Sequence, residues 1–134
     1  MGAAILAAPI FMLFGVSSGL LVYGGVTQLG ATQWLWALII YPVSEEIIFR
    51  GGVQGALSRN LPTRIRFAGL SIPNILTSTL FAVVHVWSHG DWLILLVFFP
   101  SIIFGLSYEL SSKLIVPIAL HSWYNLTGIL WTWA

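Results

Sequence analysis

The chain contains no cysteine. That excludes disulfides, thiolate metal sites and a cysteine nucleophile. Charge is nearly as scarce: five Lys and Arg and four Asp and Glu make up 7% of 134 residues, with a formal net charge of +1. A nucleic-acid partner is therefore not expected, because the basic patch that would neutralise phosphates is missing. What fills the space is apolar. Hydrophobic residues are 58% of the chain, and mean hydropathy is +0.96. A single domain of this length has too little interior for that much apolar side chain, so lipid is the solvent expected around residues 1–134. The opening run MGAAILAAPIF has no basic region ahead of its apolar residues, so it reads as a membrane segment rather than a cleaved signal.

Five apolar stretches follow one another, over 3–26, 33–57, 67–88, 92–110 and 115–133. Each approaches the ~20 residues that a spanning helix needs. None alternates as a strand would, and only helices and closed barrels span a bilayer. The expected fold class is an all-α membrane protein, a compact bundle of five transmembrane helices, or six if Pro100 splits the fourth stretch. Pro42 and Pro73 are expected to kink or restart their helices. Arg59, Arg64 and Arg66 share one loop, and Lys113 lies in another on the same side of a five-helix bundle. The positive-inside rule makes that side cytoplasmic, with the N-terminus inside, the C-terminus outside and Asp91 on the far side. Gly15 and Gly19, and Gly51 and Gly55, are G-x-x-x-G pairs of the kind that let helices approach closely. Trp34, Trp36, Trp87, Trp92, Trp131 and Trp133 lie near stretch ends, as an interfacial belt would place them, while Trp123 does not.

Against this background the stretch YPVSEEIIFRGG, residues 41–52, stands out, because it holds three of the nine charged residues. A charge at the centre of a membrane helix costs roughly 2.5–3.5 kcal/mol on insertion scales. Glu46 and Arg50 are four residues apart, roughly 40° around a helix, with the acid on the N-terminal side, which is the favoured ion-pair orientation. Glu45 is turned roughly 140° from Arg50 and has no partner on its own helix. An unpaired intramembrane carboxylate is by default a candidate functional group. The alternative is a structural network in which all three lock two helices together.

Two later segments can supply partners. FAVVH places Phe81 and His85 on one helix face, and HSWYN does the same for His121 and Asn125. His85 can orient Glu45 or share its proton. His121 and Asn125 can both donate to one developing oxyanion. The alternative for each histidine is an interhelical hydrogen bond. His89 follows His85 by four residues, but Val86 stands where a zinc protease helix would carry its glutamate, so His89 reads as interfacial. Along the expected helices, Glu45 and Asn125 fall near mid-membrane, His85 nearer the outer face and His121 nearer the inner one.

Taken together, E-E-x-x-x-R (Glu45, Glu46, Arg50), F-x-x-x-H (Phe81, His85) and H-x-x-x-N (His121, Asn125), in this order over residues 40–126, resemble the CAAX-protease and bacteriocin-processing family of Rce1-type intramembrane proteases. The stretch IIFGLSYELSSKLIVPIALHSWYN is similar to that family's last motif region. The resemblance implies that Glu45 activates a water with help from His85. It implies further that His121 and Asn125 form the oxyanion hole, and that Glu46 and Arg50 hold the site together. No cofactor is expected on this glutamate-type reading. A second reading uses Glu45 or Glu46, His85 and His121 as zinc ligands. The implied partners are the bilayer and a membrane-embedded protein or peptide. The implied location is a bacterial or archaeal cytoplasmic membrane. The short chain lacks the extra helices of larger relatives, which favours a C-terminal sorting signal of exported proteins as substrate, ahead of a bacteriocin leader or a prenylated CAAX protein.

Two rival classes share the same residues. A non-catalytic membrane module could bind a peptide or partner helix in the pocket, and a Glu–His chain could carry protons. A carrier is disfavoured, since the chain shows no internal repeat pair.

Overall fold

The computed structural model describes residues 2, 4–6, 30–61, 66–67 and 69–131. Four helical runs dominate them. The first, α1, covers residues 31–60 without a break. Its winding alternates: α over Ala31–Leu35, π over Trp36–Ile40, α over Tyr41–Glu46, π over Ile47–Gln54 and α over Gly55–Asn60. Gly30 opens the run by donating its N–H to Gln33 Oε1 at 2.6 Å.

Pro42 does not end α1, because the wider turn before it absorbs the ring. In that turn the bonds run from i to i−5, as the Tyr41 N–H reaches the Trp36 carbonyl. The next bond in this register would run from residue 42 to Ala37. Proline has no N–H, so the Ala37 carbonyl needs a donor from elsewhere.

After α1 the chain departs from the expected all-helical path. Arg66–Phe67 (β1) and Leu70–Ser71 (β2) pair antiparallel around Gly69, whose φ of +82° suits a residue without a side chain. Helix α2 therefore starts at Ile72, not at 67, and runs to His89. Ser71 caps it, with Oγ accepting from the Asn74 N–H at 3.2 Å, and Pro73 sits in its first turn. Gly90, with φ of +72°, closes it.

Asp91 caps the next run through a 2.9 Å bond from the Leu93 N–H. A 3-10 segment, Trp92–Val97, leads directly into α3, Phe98–Ser111. Pro100 falls just past the change from 3-10 to α winding and does not interrupt the run, so the fourth stretch stays whole. Helix α4 covers Ile115–Trp131. Of the expected first stretch, 3–26, only residues 4–6 are described, and they are helical. Gly15, Gly19, Arg64 and Trp133 also lie outside the described residues.

Helix α1 packs against α2, α3 and α4, and α3 packs between α2 and α4. The interior is polar where a soluble core would be oily. Glu46, Arg50, Asn74, Thr77, Ser78 and Ser101 are all 0% exposed. Large apolar side chains face outward instead, among them Ile39, Ile47, Ile48, Val83 and Phe99. That arrangement suits a lipid surround, where helices gain little from burying oil against oil and are joined by packing and interhelical hydrogen bonds. Among the described residues, Trp92–Ser111 is the one helical run long and apolar enough to cross a membrane on length and composition, with mean hydropathy 2.0. Among the described residues, Phe104, Leu120 and Tyr124 form an apolar cluster, and Phe49, Phe81 and Ala82 are also buried. The N-terminal residues close on α4, with the Tyr124 hydroxyl donating to the Ala4 carbonyl at 3.1 Å and Trp123 Nε1 to the Ile5 carbonyl at 3.0 Å.

Close helix approach falls at an unexpected glycine. A Cβ at Gly51 would only touch Leu114 at 3.4 Å. At Gly105, on α3, it would collide with the Asn74 side chain and come within 3.0 Å of Gln54 Oε1.

Candidate active site

The two adjacent glutamates enter different environments because consecutive side chains on a helix point about 100° apart. Glu46 faces the bundle interior. Its Oε2 lies 3.0 Å from Arg50 Nε, and both side chains are 0% exposed. Arg50 reaches α3 with Nη2, donating to the Ser101 carbonyl and to Ser101 Oγ, each at 2.7 Å. Its guanidinium also lies 5.2 Å from the Phe81 ring centre and 5.6 Å from that of Phe104, within cation–π range. Each of these rings stacks on a histidine as well. Phe81 lies 4.1 Å from the His85 ring, and Phe104 lies 4.9 Å from the His121 ring. The buried cation and two phenyl rings thus back both imidazoles.

The hydrogen bonds of the imidazoles decide their tautomers. His85 Nδ1 is 2.9 Å from the Phe81 carbonyl, and a carbonyl only accepts. His121 Nδ1 is 2.9 Å from Glu46 Oε1, the carboxylate already paired with Arg50. Both Nδ1 atoms therefore carry hydrogen. Both Nε2 atoms are left to act elsewhere, as acceptors when the ring is neutral and as donors when it is protonated.

Both Nε2 atoms face Glu45. Oε2 of Glu45 is 3.6 Å from His121 Nε2 and 3.9 Å from His85 Nε2. Side-chain exposure falls in the order Glu45 27%, His85 20%, His121 8%, Glu46 0%, so Glu45 is the acid that a water or substrate can reach. The separations are too long for direct hydrogen bonds and short enough for one small group to bridge. The different depths expected for His85 and His121 do not arise, because α2 and α4 both bring their histidines level with Glu45.

Asn125 goes elsewhere. Its Nδ2 donates to the Ala37 carbonyl at 2.8 Å. His89 is exposed at the end of α2, its ring 6.2 Å from that of His85. Trp123 lies at the surface rather than in the cluster.

A polar seam continues from Arg50 toward the far end of α1. Gln54 Nε2 donates to the Gly105 carbonyl at 3.2 Å and to Glu109 Oε1 at 3.0 Å. Ser71 Oγ donates to the same Glu109 oxygen. Asn74 Nδ2 donates to the Ile102 carbonyl at 3.1 Å, and Ser78 Oγ to Asn74 Oδ1 at 3.2 Å. Sequence reasoning missed Ser101, Phe104, Gly105, Gln54 and Glu109. The signal was present as a four-residue spacing: 46, 50, 54 on α1 and 101, 105, 109 on α3.

The zinc reading can be tested on geometry. Tetrahedral zinc with bonds of about 2.0–2.1 Å holds its donors about 3.3 Å apart. Glu45 Oε2 stands 3.6 and 3.9 Å from the two imidazole Nε2 atoms, and among the described residues no group of three His, Asp, Glu or Cys side chains forms a ready-made metal site. The arrangement offers one accessible carboxylate, two imidazole nitrogens of assigned tautomer and a rigid backing.

A family model described as type II CAAX prenyl endopeptidase Rce1-like matches residues 27–127. No curated protein and no solved structure matches the chain.

Proposed function

The chain belongs to the Rce1-like type II CAAX prenyl endopeptidases, and from that premise we propose that it is an integral-membrane, glutamate-type protease. The observation that carries the reading is the convergence of Glu45 Oε2 with His121 Nε2 and His85 Nε2 at 3.6 and 3.9 Å. Glu45 takes a proton from a water, and the water oxygen attacks the scissile carbonyl carbon. His85, its Nδ1–H fixed on Phe81, takes that proton from Glu45 through Nε2 and delivers it to the leaving amine, which restores the Glu45 carboxylate. His121, held by Glu46 through Nδ1, receives the oxyanion through Nε2–H in its doubly protonated form. Collapse of the tetrahedral adduct breaks the C–N bond. Glu46 and Arg50 touch no substrate and hold the imidazoles in place.

The substrate class follows from the surroundings. A site backed by buried polar groups and surrounded by outward apolar faces suits a bond within or beside a membrane-embedded segment. We favour a C-terminal sorting signal of exported proteins, ahead of a leader peptide or a prenylated CAAX tail. The basic loops face the cytoplasm on this reading. Ser71 and Glu109 support that arrangement, since their bond puts the 66–71 hairpin and the Lys113 loop at one end of the bundle. The reaction runs on carboxylate and imidazole without a resident metal, so turnover is expected to be unchanged after exhaustive treatment with EDTA. Loss restored by zinc would overturn that.

The deciding experiment is mass spectrometry of host membranes carrying wild type or Glu45→Gln at equal expression. Precursors with intact hydrophobic segments should accumulate only with the variant. Matching profiles would refute proteolysis and leave a binding module.

A further inference from the structure

We infer that Asn125 is a positioning residue that closes the proline break in α1 and thereby sets the alignment of the site. The inference rests on the catalytic reading for its meaning but on separate atoms for its support. Pro42 is fully buried and lies one helical turn before Glu46. The π turn before it directs its next backbone bond from residue 42 to Ala37, where proline supplies no hydrogen. The freed carbonyl lies in the interface between α1 and α4. Asn125 Nδ2 donates to that carbonyl at 2.8 Å, from a position 88 residues along the chain. A carbonyl only accepts, so the amide must present its nitrogen there.

The consequence for the site is geometric. α4 holds α1 at two polar points, Asn125 on Ala37 and His121 on Glu46. They bracket Pro42 and Glu45, and the two α4 residues are four apart on one face. Releasing the first point leaves a half-buried carbonyl unpaired just before Pro42 and frees α1 to move relative to His121. Glu45 then loses its alignment on the two Nε2 atoms. The family resemblance pairs Asn125 with His121 as a second oxyanion donor; here its amide nitrogen donates to the Ala37 carbonyl.

The two roles separate in a double-mutant cycle. Pro42→Ala restores a backbone N–H that can reach the Ala37 carbonyl. It cannot supply a donor to an oxyanion. Asn125→Ala is expected to lower kcat on the order of a hundredfold, as a misplacement of about 1 Å can, with KM little changed and the melting temperature in detergent lowered. Asn125→Asp, which keeps the volume but loses the amide hydrogens, should behave alike. Pro42→Ala alone should stay near wild type. Adding Pro42→Ala to either Asn125 variant should recover most of both losses. If an Asn125 variant does not fold, recovery of folded protein in the double variant is the expected result. A double variant no better than its Asn125 parent, in kcat, melting temperature or yield, would overturn the inference, as would a fully active Asn125→Ala. The melting-temperature coupling reads the bond whether or not the chain cleaves peptides, so failure of the protease reading would leave it standing.

Discussion

The two ends of the polar seam use the same residue types and end in opposite conditions. From Arg50 to Glu109 the seam is closed: Arg50 is held by Glu46 and Ser101, and Glu109 accepts from Gln54 and Ser71. At the other end Glu45 is 27% exposed, and its nearest polar neighbours stand beyond direct hydrogen-bond distance. A charged group held between protein partners and shut away from water contributes rigidity. One left with open capacity beside two tautomer-fixed imidazoles can act on something that arrives. The neighbours Glu45 and Glu46 carry this contrast in one step of the helix.

The contrast can be broken from either end. The largest effect is expected from Glu45→Gln, which removes the base while leaving the seam intact. Turnover should fall by about 10²–10⁴-fold, with an unchanged melting temperature. Turnover within about threefold of wild type would refute the assignment.

Arg50→Met should do the reverse, lowering stability by about 3–5 kcal/mol by leaving Glu46 buried without its cation. Chemical denaturation in detergent measures this. Adding Glu46→Gln should relieve part of the loss, because the stranded charge is removed with it. Equal loss in both would mean that packing, not charge, dominates.

A smaller effect is expected from Gly105→Ala. The added methyl meets Asn74 and Gln54, and the cost should be about 1–3 kcal/mol of overpacking, with kcat little affected in the fraction that stays folded. A kcat loss without destabilisation would show that the seam and the working end are not separable.

Much of the local chemistry is legible in the sequence. The Glu46–Arg50 pair, the opposite facing of Glu45 and the shared faces of Phe81 with His85 and His121 with Asn125 all follow from about 100° per residue. So do the helical runs, because apolar length bounded by polar breaks is a one-dimensional signal. The start of α2 is not legible in the same way. Ser71, Pro73 and Gly69 jointly favour a turn and a cap there, and a hydropathy window averages them away. The close-approach glycine is misplaced for a related reason: Gly51 and Gly55 show the motif, but the crossing with Asn74 and Gln54 is at Gly105.

What the sequence by itself determined is which groups share a helix face, that Glu46 and Arg50 pair, and that Glu45 is left without a partner on its own helix. Backbone geometry settles those within a turn. What only the tertiary structure decided is who answers them. His85 and His121 meet at Glu45, Ser101 takes Arg50, and Asn125 takes Ala37. Such partners depend on the crossing and register of whole helices, which the packing of many side chains sets together and no short spacing encodes.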